Sequence, residues 1–195
     1  MLLYYQKYMK TKHLIWTEEN RREEYRSKVF SIWKTESTSP EGKKSSFSIM
    51  DCPDWVIVVP VLEINKKRHF VMVHQWRHGT QELSMEFPGG VLEEGENPET
   101  GARREFEEET AYKAEYFIKM GALQPNPAIM TNTIHIYLAE KLSPLKKQML
   151  DEDEFVDVKL IGEKELIKSM GTPPYIHSLS AAALALYMTR AENRV

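Results

Sequence analysis

Between Trp55 and Ile64 the chain runs Trp-Val-Ile-Val-Val-Pro-Val-Leu-Glu-Ile, an almost unbroken apolar stretch rich in β-branched residues. It lacks the period-two alternation of a strand with one wet face, and it falls well short of the roughly 20 apolar residues a membrane span needs. It reads as a strand buried on both faces. Such a strand needs a covering layer on each side, and the rest of the chain has to supply them.

Residues 17–25 are highly charged and read as a short exposed helix or an arm. Residues 28–36 carry Val29, Phe30, Ile32 and Trp33 in a strand pattern, Ser39-Pro40-Glu41-Gly42-Lys43 is turn chemistry, and residues 46–50 return as a second strand. Together these make an antiparallel hairpin. Past the apolar strand, Asn65-Lys66-Lys67-Arg68 is a polar turn and residues 70–76 are a further strand. Residues 82–87 are a short strand closed by Pro88-Gly89-Gly90. A helix then begins: Asn97 is an N-cap, Pro98 suits the first helical position and Glu99 favours the positive end of the helix dipole. It is predicted to reach about Thr110. Gly101 inside it costs about 1 kcal/mol relative to alanine, which close packing would justify. Strands follow near 117–123, 133–139 and 155–161, then helices over Glu163–Ser169 and residues 176–190. The order points to an α+β fold, a mixed sheet between helices with an N-terminal antiparallel β-hairpin subdomain. The expected divisions are an N-terminal extension (1–23), a hairpin region (24–50) and a principal domain (51–195).

A chain of 195 residues that is 42% hydrophobic is long enough for one sizeable core. A net charge of −3 leaves no basic excess for nucleic acid or an anionic membrane, so neither is an expected partner. An anionic substrate must therefore be held by local cations or by metal. Cys52 is the lone cysteine, which excludes an intrachain disulfide and fits a reducing compartment. The opening Met1-Leu2-Leu3-Tyr4-Tyr5 is too aromatic to read as a secretory signal, and the cytoplasm is the expected location.

On the predicted helix, Glu105, Glu108 and Glu109 lie three and four residues apart and share one face. Three like charges there destabilise a helix unless a cation sits among them. A hard divalent ion such as Mg²⁺ takes oxygen ligands and suits such a face. Ala102 and Phe106 form an apolar face that can anchor the helix to the sheet. Arg104 can hold a glutamate bidentately, and Glu96 is placed to approach it. Gly89 and Gly90 bring backbone without side chains close to a metal or phosphate. Taken alone, a glutamate run is more often a solvated helix face.

The surrounding spacing changes that balance. Gly90, Glu96 and the run Arg104-Glu105-Phe106-Glu107-Glu108-Glu109-Thr110-Ala111-Tyr112 resemble the Nudix box, G-x5-E-x7-R-E-U-x-E-E-x-G-U, where U is bulky and apolar. Ala111 replaces the last glycine and Tyr112 is a less usual closing residue, but neither change removes a ligand. The resemblance implies the Nudix α/β/α sandwich and hydrolysis of a nucleoside diphosphate linked to another group. It implies metal binding by Glu105, Glu108 and Glu109 with the Gly89 carbonyl, a catalytic part for Arg104 and Glu105, and structural roles for Gly90 and Glu96. The implied metal is Mg²⁺, with Mn²⁺ as a substitute.

The flanking segments are similar to those of ADP-ribose and nucleotide-sugar pyrophosphatases. They are Gln75-Trp76-Arg77, Glu86-Phe87-Pro88-Gly89-Gly90, the N-terminal hairpin, Pro127 at 15 residues beyond the box, the acidic stretch Asp151-Glu152-Asp153-Glu154, and Gly171-Thr172-Pro173-Pro174-Tyr175 before the last helix. The resemblance implies a nucleotide-sugar substrate cut to a nucleoside monophosphate and a sugar phosphate, and a homodimer built through the N-terminal strands. One position departs: the usual Ser-Pro-Gly followed by a glutamate is here Asn126-Pro127-Ala128-Ile129-Met130-Thr131-Asn132. In the implied mechanism, water attacks one phosphorus in line, with two or three Mg²⁺ ions neutralising the charge. Glu152 is the first choice as general base and Glu154 the second, against a solvated acidic loop. The substrate-binding candidates are Arg77, Trp76, Glu86, Pro127 and Asn132. Arg77 is as well suited to a structural ion pair, and Trp76 and Phe30 suit the core better than base stacking. His69, His74, His78, His135 and His177 lack metal-ligand spacing and read as ordinary residues, although His135 joins Asn132 as a possible pocket residue. The alternatives are the same chemistry on a nucleoside triphosphate or dinucleotide, and a non-catalytic nucleotide-sensing module.

Overall fold

The apolar run forms a strand over its predicted length, and the alternation of its side chains builds two cores. The computed structural model describes residues 11–192. They form two compact units: the N-terminal segment through Pro53 with Asn126–Asn132, and Asp54–Pro125 with the chain from Thr133 onward.

In the first unit, β1 (Thr17–Arg26), β2 (Ser31–Thr38) and β3 (Lys44–Asp51) make an antiparallel sheet in that order. The β2–β3 turn is closed by the Ser39 N–H donating to the Lys43 carbonyl and the Lys43 N–H to Ser39 Oγ, with Gly42 at φ 86°. The hairpin stands where the sequence put it. The charged segment before it is a strand, not a helix or an arm, and it crosses the expected division at residue 23. Every residue of β1 is exposed. With no apolar face it carries no periodicity to read, and only its ladder with β2 makes it a strand. Residues 126–132 clip onto β3: Met50 N–H donates to the Ile129 carbonyl at 2.7 Å, Thr131 N–H to the Met50 carbonyl at 3.1 Å, and Thr131 Oγ1 to Asp51 at 2.6 Å.

In the second unit, β4 (Trp55–Ile64), β5 (Lys67–Arg77), β6 (Glu82–Glu86), β7 (Tyr112–Leu123), β8 (Ile134–Pro144) and β9 (Val156–Gly162) form a six-stranded sheet of order β6-β5-β4-β8-β7, with β9 on β5. The β4–β8 pair is parallel and the others are antiparallel, so the sheet is mixed. Asn65 and Lys66, at φ 50° and 61°, make the tight turn between β4 and β5, the paired left-handed geometry that matches strand twist.

Val56 and Val58 of β4, with Tyr137 and Ala139 of β8, pack under Ala102 and Phe106 of α1 (Pro98–Thr110). Ile57 and Val59, with Ile136 and Leu138, face the other way. They pack against Leu166 of α2 (Glu163–Ser169) and Ala183, Leu184 and Tyr187 of α3 (Ser178–Glu192). The sheet thus lies between helices, as the apolar run required. No helix among the described residues is long and apolar enough to cross a membrane.

Candidate active site

The site is built around α1. Asn97 caps it: the side-chain oxygen accepts from the N–H groups of Glu99 at 2.9 Å and Thr100 at 3.4 Å. Ala102 and Phe106, both fully buried, anchor the helix to the sheet. Gly101 permits close packing: a Cβ there would lie 2.3 Å from Leu92 and 2.8 Å from Glu96 Oε2. The opposite face carries the glutamates.

Arg104 gathers three of the carboxylates. It binds Glu96 in a two-point contact, Nε to Oε1 at 3.1 Å and Nη2 to Oε2 at 3.0 Å, and its Nη1 reaches Glu105 at 2.9 Å and Glu108 at 3.2 Å. Glu109 is buried, and its Oε2 accepts the Gly89 N–H at 2.9 Å. Gly89 lies on a segment laid along β4, where the Pro88 and Gly90 carbonyls accept the N–H groups of Val58 and Val56 at 2.9 Å each. Its φ is 157° and a Cβ would sit 2.1 Å from the Val56 carbonyl oxygen, so no side chain fits. The sequence thus brings the glycine segment and the glutamate helix to one place.

The electrostatics have one clear cause. Burial pushes the Glu105 carboxyl up to about 7, although Arg104 pulls it down. It pushes Glu109 up to about 8, against the Gly89 hydrogen bond. The charge of Glu154 raises both, so that residue of the acidic loop acts on the cluster. A buried carboxylate, Glu109, beside a half-buried one, Glu105, is a hard-oxygen donor set that a divalent cation would ionise. As the side chains lie, no three His, Cys, Asp or Glu residues among those described are grouped closely enough to hold a metal; Arg104 stands among the carboxylates instead. The donor types fit a divalent ion.

Residues 54–181 match the NUDIX domain. The chain belongs to the Nudix hydrolase family. Members of this family generally use divalent metal ions. It is 37% identical to an ADP-ribose pyrophosphatase of Bacillus subtilis (strain 168) over 74% of this chain and 77% of that protein. It is 38% identical to a methanol dehydrogenase activator of Bacillus methanolicus over 61% of this chain and 63% of that one. The crystal structure of an ADP compounds hydrolase superposes with a TM-score of 0.81 at 20% identity, covering 92% of this chain and 95% of the other, which establishes likeness of fold.

Within the Nudix frame, the remaining predicted residues fall into several environments. Arg77 and Glu86 are joined bidentately, Nε to Oε1 at 2.8 Å and Nη2 to Oε2 at 2.6 Å. Burial alone would raise the Glu86 carboxyl, but hydrogen bonds from Arg77 and His177 override it and hold it at about 2. Trp76 is half exposed and cross-strand from Leu83; strand alternation turns it to the sheet face opposite Arg77. Pro127 and Asn132 belong to the first unit, and the buried Asn132 amide has no hydrogen-bond partner among the described residues. Glu152 and Glu154 are both exposed, and Glu154 Oε2 accepts the Asp151 N–H at 3.2 Å.

Two features escaped sequence reasoning. Gln148 Nε2 donates to the carbonyls of Glu109 at 2.5 Å and Val156 at 3.2 Å, tying the end of α1 to the start of β9. His177, read as ordinary, meets Glu86. Neither pairing has a local signal, because the partners are far apart in the chain.

Proposed function

We propose that this Nudix hydrolase cleaves the diphosphate of ADP-ribose or a related nucleoside diphosphate sugar, with Mg²⁺ as its metal, to a nucleoside monophosphate and a sugar phosphate. The observation that carries the chemistry is the buried Glu109 and half-buried Glu105 beside Glu108 and the side-chain-free backbone of Gly89. The likeness to an ADP-ribose pyrophosphatase supports the substrate.

Glu105, Glu108, Glu109 and the Gly89 carbonyl would hold the metal. Bound there, Mg²⁺ would neutralise diphosphate charge and acidify a water. Arg104 keeps Glu105 and Glu108 directed to the site, and the Gly89 N–H directs Glu109. Glu154 takes the proton of the attacking water. It is preferred over Glu152 because its charge acts on Glu105 and Glu109. The water oxygen bonds to one phosphorus, the bridging P–O bond breaks, and the leaving phosphate takes up the proton. Arg77 supplies a guanidinium edge for a substrate phosphate.

A homodimer through the N-terminal strands belongs to the same proposal. It is supported by Trp16, Tyr25, Val29 and Phe47, large apolar side chains exposed in the first unit. The cytoplasm is the proposed compartment, on the strength of the lone Cys52. The test is turnover of ADP-ribose, ADP-glucose, GDP-mannose, NADH and nucleoside triphosphates with Mg²⁺. ADP-ribose or another nucleotide sugar should turn over fastest. Turnover confined to triphosphates or dinucleotides would refute the substrate class.

A further inference from the structure

Glu86 is almost wholly buried, and two side chains hold its two oxygens in place. Arg77 takes both. His177 Nδ1, just before α3, is 2.9 Å from Oε2. The same nitrogen is 3.2 Å from Ser180 Oγ, which in turn accepts the Phe87 N–H at 3.1 Å. Ser180 is fully buried, whereas Arg77 keeps 44% of its side chain open. The chain of contacts thus runs from the packed start of α3, through a buried carboxylate, to a guanidinium at the surface. Arg77 commits Nε and Nη2 to Glu86, and among the described residues its Nη1 has no hydrogen-bond partner. The carboxylate it holds lies three residues before Gly89, whose N–H donates to Glu109, so the pair adjoins the segment that meets the glutamate cluster.

A bidentate arginine–carboxylate pair fixes the two groups relative to each other but not to the protein, since both can swing on the glutamate stem. A further bond from a residue at the entry to a packed helix removes that freedom. We propose that His177 is a positioning residue that acts through Glu86 to fix the plane of Arg77, so that Nη1 meets a substrate phosphate. This rests on Arg77 being the phosphate contact. Orientation of this kind lowers the entropy lost on binding, so the effect belongs mainly in KM.

The experiment compares wild type, His177→Phe, His177→Asn, Arg77→Ala and the His177→Phe/Arg77→Ala double variant in steady-state hydrolysis of ADP-ribose with Mg²⁺, with a thermal melt of each. Arg77→Ala should raise KM about tenfold, as loss of one charged hydrogen bond does. His177→Phe should raise KM several-fold with a smaller change in kcat, His177→Asn, whose amide nitrogen overlays the imidazole Nδ1, should recover most of that loss, and the double variant should be no worse than Arg77→Ala. If His177→Phe does not fold, His177→Leu, which likewise has no donor for Glu86, takes its place. Additive effects in the double variant overturn the proposal. So does a lower melting temperature with unchanged KM, the mark of a merely structural anchor. Arg77→Ala with unchanged KM removes the phosphate contact and the inference with it, whereas an effect of Arg77→Ala alone removes only the inference. Absence of wild-type turnover refutes the function itself and carries the inference down with it.

Discussion

Ala111 ends α1 at φ 56° and ψ 33°, in the left-handed region, with its N–H donating to the Glu107 carbonyl at 3.1 Å. The Nudix box carries glycine at this position. A residue with a Cβ costs roughly 1–2 kcal/mol in that conformation. Glycine escapes the strain but brings back about 0.5–1 kcal/mol of unfolded-state entropy. Ala111→Gly is therefore expected to stabilise the protein by about 0.7 kcal/mol. In a domain of this size that is roughly 1–3 °C in Tm. Differential scanning calorimetry and urea unfolding measure it together, with the urea m-value expected to stay constant. A fall in Tm, or none of the expected rise, would mean that Ala111 is relaxed where it stands and that the strain argument is wrong.

Gly89→Ala is expected to lower both stability and turnover, because its Cβ would meet the Val56 carbonyl oxygen at 2.1 Å and force the segment beside Glu109 to move; a variant with wild-type Tm and kcat would refute the packing described. Glu86 titrates at about 2 when folded and near the ordinary glutamate value of about 4.3 when unfolded. Its stabilisation, on the order of 3 kcal/mol by linkage, is present above about pH 4.5 and lost as the pH falls toward 2; the stability gap between wild type and Glu86→Gln should thus narrow from pH 6 to pH 3, and a gap independent of pH would contradict the depressed pKa. Asn97→Ala should cost about 1 kcal/mol through loss of the cap, read by urea unfolding; no change would mean the capping bonds contribute nothing.

The elements with local signals were legible. Asn97-Pro98-Glu99 marked the start of α1, and the apolar run marked β4 and the need for helices on both sides. The spacing from Gly90 through Glu96 to Arg104 identified the glutamate face, and Arg104 does hold Glu96, Glu105 and Glu108. What escaped has a common reason. β1 has no apolar face, so its state is decided by pairing with β2 rather than by its own pattern. Residues 126–132 could be matched to a motif, but nothing in their composition told that they clip onto β3. His177 and Gln148 each meet partners fixed only when the sheet and helices have assembled.

Glu108→Gln tests the account most directly. Glu108 is partly exposed and hydrogen-bonded only to Arg104 among the described side chains, so an isosteric amide should leave the fold and the melting temperature intact. With saturating Mg²⁺ and ADP-ribose, kcat is expected to fall by roughly a hundredfold or more. Unchanged kcat in a folded variant would contradict the central claim that the glutamate face of α1 holds the metal for diphosphate hydrolysis.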